Sequence, residues 1–313
     1  MTDKLIESVL DAAYEWERCH PDRVYMTQPT GDGGVVDFTW GETLQQARRM
    51  AAYLRSLNLP DNSQIALISK NCAHFIICDL AIWMAGHTTV ALYPTLNAAT
   101  VRYILEHSES RLVFIGKLDD WEEMAPGVPE DLPRVALPLA PKTDYPRWDE
   151  IIANFDPISD SPSPPPEQLA LICYTSGSTG RPKGVMHSFA SISVPGQHFG
   201  RELEVNSSDR VLSYLPLAHV MERAVVECSS FYSGIHRYCA DRLDTFIEDL
   251  RRARPTVFLS VPRLWLKFQM GVFQKFPEQK LARLIKLPIV GGIVRKKVLQ
   301  GLGLDSVRIA GSG

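Results

Sequence analysis

The stretch FTWGETLQQARRMAAYLRSL (38–57) places Leu44, Ala47, Met50, Ala51, Leu54 and Leu57 on one face at helical spacing. Thr39 and Glu42 stand three residues apart at its start, the spacing of a capping box, so a capped helix is predicted over 38–57. IALIS (65–69), after the turn PDNS, predicts a short strand. Residues 73–85 are apolar almost all round, which predicts a buried helix. TTVALY (88–93) and RLVFIG (111–116) read as strands, with a short helix from Thr100 to His107 between them. Alternation of this kind predicts an α/β fold, a parallel sheet covered by helices.

From about Asp119 to Gln168 the order weakens and proline recurs, ending in DPISDSPSPPPEQ. This stretch reads as a linker or surface excursion. The predicted organisation is an N-terminal α/β subdomain (1–155), a Pro-rich linker (156–168) and a second α/β subdomain (169–313). In the second part LALICYT (169–175), VLSYLPL (211–217), TVFLSV (256–261) and VRIAGSG (307–313) read as strands, the last entering a glycine-rich turn. Helices are expected over 243–253 and from Arg263 to Phe273, and no internal sequence repeat stands out.

The 313 residues suggest roughly two domains, and ordinary apolar and charged fractions allow a sizeable core. The formal charge of −3 gives no reason to expect a nucleic-acid partner. Its distribution changes the picture. Residues 251–300 hold twelve Lys/Arg and one acid, Glu278, a net +11 against −14 for the rest. Apolar residues lie between those charges, as in KLARLIKLPIVGGIVRKKVL. The bland reading is a solvated helix face; the sharper one is a surface that docks on anionic membrane. The six cysteines show no C-x-x-C pair and read as reduced core residues of a cytoplasmic protein. The acidic, amphipathic start is unlike a signal peptide, and no apolar run approaches the ~20 residues of a membrane-spanning helix. The expected location is therefore cytoplasmic, with peripheral contact at the inner face of a membrane as the sharper reading of the basic segment.

YTSGSTGRPKG (174–184) follows directly on an apolar strand. The residues after it, VMHSFASIS, are expected to start a helix, and a Gly/Ser/Thr-rich loop before a helix is a natural phosphate cradle. Gly177, Gly180 and Gly184 permit close approach of backbone to ligand. Thr175, Ser176, Ser178 and Thr179 offer hydroxyls for phosphate oxygens or Mg²⁺, and Lys183 supplies a mobile point charge. Walker A needs Gly-Lys-Ser/Thr after a four-residue gap, and Lys183 lies between Pro182 and Gly184, so a P-loop ATPase is disfavoured.

The string resembles the phosphate loop of the adenylate-forming superfamily: acyl-CoA synthetases, peptide-synthetase adenylation domains and luciferases. SYLPLAHVMER (213–223), RPTVFLSVPRLWLKF (254–268) and SVRIAGSG (306–313) are similar to later stretches of the same family, and the LPLAH…ER and VPRLW forms resemble its long-chain fatty acid branch. The resemblance implies the large N-terminal domain of an acyl-CoA synthetase/luciferase-like fold, with αβαβα layers. It implies ATP-dependent activation of a long-chain fatty acid to acyl-AMP, then attack by coenzyme A. Thr175, Ser176, Gly177, Ser178, Thr179, Gly180, Lys183 and Gly184 would hold the phosphates, with Thr175 at a position associated with Mg²⁺. Lys183 would neutralise the leaving pyrophosphate and His219 would lie beside the acyl carboxylate.

A lone histidine after a strand is usually structural, and His219 gains its catalytic reading only from the surrounding string. His219 with Glu222 lacks a third ligand for zinc. Arg223 is expected to form a structural salt bridge, and His187 and His236 receive no role. The family pattern continues past residue 313 with an adenine-pocket motif, a Mg²⁺-binding glutamate, a ribose-binding aspartate and a C-terminal lid domain with a catalytic lysine. The chain therefore reads as a truncated N-terminal portion, inactive alone and, with VRIAGSG as a central strand lacking later partners, prone to self-association. The alternatives are an adenylating ligase for another carboxylate or a carrier-protein acceptor, and a non-catalytic nucleotide- or lipid-binding module.

Overall fold

The computed structural model describes residues 8–175 and 181–313. The chain opens with α1 (Val9–Cys19), the hairpin β1 (Val24–Pro29) and β2 (Val35–Thr39), and α2 (Trp40–Ser56). Next come β3 (Gln64–Ile68), α3 (Ala73–Met84), β4 (Thr88–Leu92), α4 (Ala98–His107) and β5 (Leu112–Ile115). Then α5 (Trp121–Met124), β6 (Arg134–Ala136), α6 (Trp148–Asn154), β7 (Leu169–Thr175), β8 (Lys183–Ser188), α7 (Phe189–Glu202) and β9 (Arg210–Ser213) follow. A π-helical segment (Glu222–Cys228), α8 (Ser229–Ser233), β10 (His236–Cys239), α9 (Phe246–Ala253) and β11 (Val257–Ser260) lead to the last elements. These are α10 (Pro262–Lys275), α11 (Glu278–Ile285), α12 (Val290–Leu302) and β12 (Ile309–Ser312).

Two sheets result, ordered β6-β5-β3-β4-β7-β8 and β12-β11-β9-β10-β1-β2. Each has five parallel strands and one antiparallel edge strand, β8 in the first and β2 in the second. The topology recurs although the sequence shows no repeat: four strands in the same relative order, extended by a hairpin. All twelve residues of α3 are buried. Its first backbone N–H donates to Gln28 Oε1 of β1, and Trp83 Nε1 donates to Ala170 O of β7, so α3 lies between the sheets. A helix apolar all round is stable only where both sides are covered. This is the expected layered α/β fold.

The capping box at α2 is present. Glu42 N–H donates to Thr39 Oγ1 at 3.2 Å, and Thr39 N–H donates to Glu42 Oε2 at 2.9 Å. Three expectations need correction. VMHSFASIS does not begin as a helix: Lys183–Ser188 pairs antiparallel with β7, and α7 starts only at Phe189 behind the Ser188 cap. Residues 119–168 are not a plain excursion, since β6 extends the first sheet and buried Trp121 and Trp148 anchor α5 and α6. The Pro-rich segment 156–168 does not divide the sheets, because β7 and β8 complete the sheet begun by β3 while β1 and β2 join the sheet of β9. VRIAGSG supplies β12 (Ile309–Ser312), which pairs with β11 alone and forms the open edge of its sheet, as expected of a strand without later partners.

Replacing Thr39 by Ala should cost about 1 kcal/mol of stability through loss of the cap. Urea unfolding measures it, and an unchanged midpoint would contradict the role given to the box.

Candidate functional site

The loop expected to hold phosphate spans a β-hairpin, not a strand–helix junction. Its central residues Ser176, Gly177, Ser178, Thr179 and Gly180 lie outside the described residues. Its two shoulders are defined. Thr175 closes β7 and Lys183 opens β8, directly opposite in register. Both are exposed, and no carboxylate among the described residues pairs with Lys183. Below them Tyr174 pairs with Gly184. A Cβ at Gly184 would come within 2.9 Å of Ile172 Cγ2 and 3.2 Å of the Tyr174 ring, so this position needs glycine for packing. Tyr174 is buried and shares a 2.7 Å hydrogen bond with His107 Nδ1 of α4, and burial pushes its phenol up to about 12. The mouth of the hairpin therefore stands on a rigid base.

His219 belongs to the other sheet, on the segment between β9 and the π-helical turn. It is exposed, its backbone N–H donates to Pro216 O, and its Nδ1 accepts the Met221 N–H at 3.2 Å. No hydrogen bond joins it to Thr175 or Lys183 among the described residues. What fixes it is Asn71, just past the end of β3. The Asn71 amide donates to Leu215 O at 2.7 Å and Ser213 Oγ at 3.0 Å, and its Oδ1 accepts Leu217 N–H at 3.2 Å. Nearby, Lys117 Nζ, past β5, reaches Asp241 Oδ1, past β10, at 2.8 Å. The carboxyl ends of the two sets of parallel strands thus face each other. That edge is where open α/β sheets bind ligands. Thr175 ends a strand two places from β3, about 10 Å away at ordinary strand spacing.

Beneath this edge lies a charged core. Arg223 is fully buried between Asp79 of α3 and Glu227, with Nη2–Oδ1 at 3.1 Å and Nη1–Oε2 at 2.9 Å. Its guanidinium lies 5.1 Å from the Phe75 ring centroid. Arg223 is thus the structural ion pair expected of it. Burial, aided by the Asp79 charge, pushes Glu227 upward despite Arg223. Glu222 is also buried and accepts from Ser213 Oγ at 2.7 Å. Burial pushes its carboxyl up to about 7, against the Ser213 bond and the Arg237 charge. It therefore faces away from exposed His219. Asn71, Asp79 and Glu227 escaped the sequence reading. Asp79 carried a signal, as the one acid in an otherwise apolar helix, which demands a buried partner.

The family described as "AMP-binding enzyme" matches residues 14–310. The chain is 31% identical over 263 residues to the peroxisomal long chain acyl-CoA synthetase 6 of Arabidopsis thaliana, covering 77% of this chain and 37% of that protein. It is 30% identical over 273 residues to the long-chain-fatty-acid–CoA ligase FadD15 of Mycobacterium tuberculosis, covering 83% and 44%. The chain spans at most about half the length of the curated relatives it matches, 48% for Arabidopsis long chain acyl-CoA synthetase 5. Among solved structures, the A domain of the Segniliparus rugosus carboxylic acid reductase, in complex with AMP and a co-purified carboxylic acid, superposes with a TM-score of 0.76. That match has 18% identity and covers 99% of this chain and 57% of that one. The anthranilate CoA ligase AuaEII, in complex with anthranoyl-AMP, gives a TM-score of 0.73 at 17% identity, covering 82% and 50%.

A carboxyl raised in the folded state favours the protonated fold. The stability it contributes is full below its ordinary 4.5 and lost as pH rises through about 7. The protein should therefore lose stability between these two values, and Glu222→Gln should shrink that loss by roughly 3 kcal/mol. Urea unfolding at pH 5 and pH 8 checks this; an identical loss in wild type and variant would contradict the assignment.

Proposed function

The chain belongs to the AMP-binding enzyme family, and from that premise we propose that it serves the ATP-dependent activation of a long-chain fatty acid to acyl-AMP and then acyl-CoA. The observation that carries this reading is Lys183, an exposed cation without a carboxylate partner among the described residues, opposite the Thr175 hydroxyl at the mouth of a rigid hairpin. The names of the relatives, long chain acyl-CoA synthetases, support the substrate class.

In this reading the fatty acid carboxylate attacks the α-phosphorus of ATP and pyrophosphate leaves. Little covalent chemistry falls to the protein, which positions the reactants and offsets charge. Lys183 meets the negative charge that accumulates on the departing pyrophosphate. The Thr175 hydroxyl faces the same phosphates and fits Mg²⁺, an ion that takes few protein ligands and keeps water and phosphate oxygens around it. When bound, Mg²⁺ supplies further charge neutralisation on the phosphates. The His219 Nδ1 accepts a backbone N–H, so the neutral ring carries its proton on Nε2, where it can donate to the acyl carboxylate. Asn71 is a positioning residue for that segment. Coenzyme A then displaces AMP.

Palmitate-dependent ATP–pyrophosphate exchange tests the proposal, with octanoate, acetate and benzoate as competitors for the assignment. Exchange is expected with palmitate in a protein that carries this chain and spans the full length of its relatives, and Lys183→Met in that protein should lower it on the order of 10²-fold. Exchange with benzoate but not palmitate would overturn the substrate class, and a fully active Lys183→Met variant would overturn the role of the hairpin.

A further inference from the structure

The helices α11 and α12 form a hairpin whose turn is built from Lys286, Leu287, Pro288 and Ile289. The turn is tightly made. Gly291 N–H donates to Leu287 O at 2.9 Å, and a Cβ at Gly291 would lie 2.2 Å from Ile285 O. Yet it turns aliphatic side chains outward. Ile289 is 83% exposed, Ile293 53% and Leu287 49%. Ile289 also has φ +65° and ψ −58°, the centre of a γ-turn closed by Val290 N–H donating to Pro288 O at 2.7 Å, a conformation that a β-branched residue adopts only under strain. Nothing in the turn itself calls for isoleucine. It opposes both the backbone and the solvent, and with Leu287 and Ile293 beside it the tip offers an apolar contact to something outside the chain.

The charge around it points to the occupant. Residues 278–302 carry Lys280, Arg283, Lys286, Arg295, Lys296 and Lys297 against one acid, Glu278. None of these cations forms a salt bridge among the described residues. Exposed aliphatic side chains flanked by these unpaired cations suit an anionic lipid surface, which offers phosphates to the charges and an apolar layer beneath them. No helix among the described residues is long and apolar enough to cross a membrane. We propose that the α11–α12 turn docks on an anionic lipid bilayer, with Leu287, Ile289 and Ile293 entering the headgroup–acyl boundary and Lys286, Lys296 and Lys297 meeting lipid phosphates. This docking is independent of the substrate assigned above.

Flotation of the full chain with vesicles tests it, using phosphatidylcholine alone and phosphatidylcholine with phosphatidylglycerol. Binding is expected only to the anionic vesicles and should weaken as salt rises. Converting Lys286, Lys296 and Lys297 together to Gln should lower partitioning on the order of a hundredfold. Ile289→Gly separates docking from folding, because glycine relieves the positive φ. That variant should melt no lower than wild type and yet bind vesicles about tenfold more weakly. Equal binding to neutral and anionic vesicles, or wild-type binding by Ile289→Gly, would overturn the proposal. So would a lower melting temperature or a lost dimer in Ile289→Gly without vesicle binding, since either marks the tip as a protein contact.

Discussion

The Arg223 guanidinium, shared between Asp79 and Glu227 with no access to water, is the interaction around which the molecule is arranged. Asp79 sits on α3, the helix between the sheets; Arg223 and Glu227 sit on the π-helical segment that follows the His219 loop. An unpaired buried charge costs several kcal/mol, so the three groups hold that segment to α3 in one arrangement. A π turn widens the helix by one residue and is often found beside functional loops. Here it lets the one Arg223 guanidinium meet both Asp79 and Glu227 while leaving His219 at the surface.

From that anchor the candidate site follows by short steps. Asn71, at the end of β3, holds the carbonyl of Leu215 and the N–H of Leu217 and so fixes the loop leading to His219. Lys117 and Asp241 join the same two edges a little further along. Parallel strands place all their carboxyl ends on one side, and open α/β sheets bind ligands outside those ends. Thr175 and Lys183 belong to one sheet, on a hairpin braced by Tyr174 and His107, and His219 follows a strand of the other.

Much of this was legible in the residues. The capping box at Thr39 and Glu42, the buried helix α3 and the strands around it follow from periodicity alone, because local pattern and final packing agree there. The phosphate-loop string singled out Thr175 and Lys183, which the fold sets opposite each other at the end of a hairpin. Its setting was misread for a physical reason: KGVMHS carries no strict alternation, since β8 is an edge strand with half of its residues exposed and none buried. Pairing across long sequence distances was equally hidden. Nothing local announces that β1 lies beside β10, or that Asn71 reaches a loop more than a hundred residues on. Proline hid α5, β6 and α6 by interrupting their periodicity, while Trp121 and Trp148 still buried themselves.

The central claim is that nucleotide phosphate is held at the mouth of the β7–β8 hairpin, with the 214–222 segment serving the acyl carboxylate. Amide hydrogen exchange with and without saturating ATP and Mg²⁺ addresses it directly. Slowed exchange in the peptides spanning 169–188, with a smaller effect over 214–222 and none at the α11–α12 turn, is the predicted result. Protection that leaves 169–188 unchanged and appears elsewhere in the chain would contradict it.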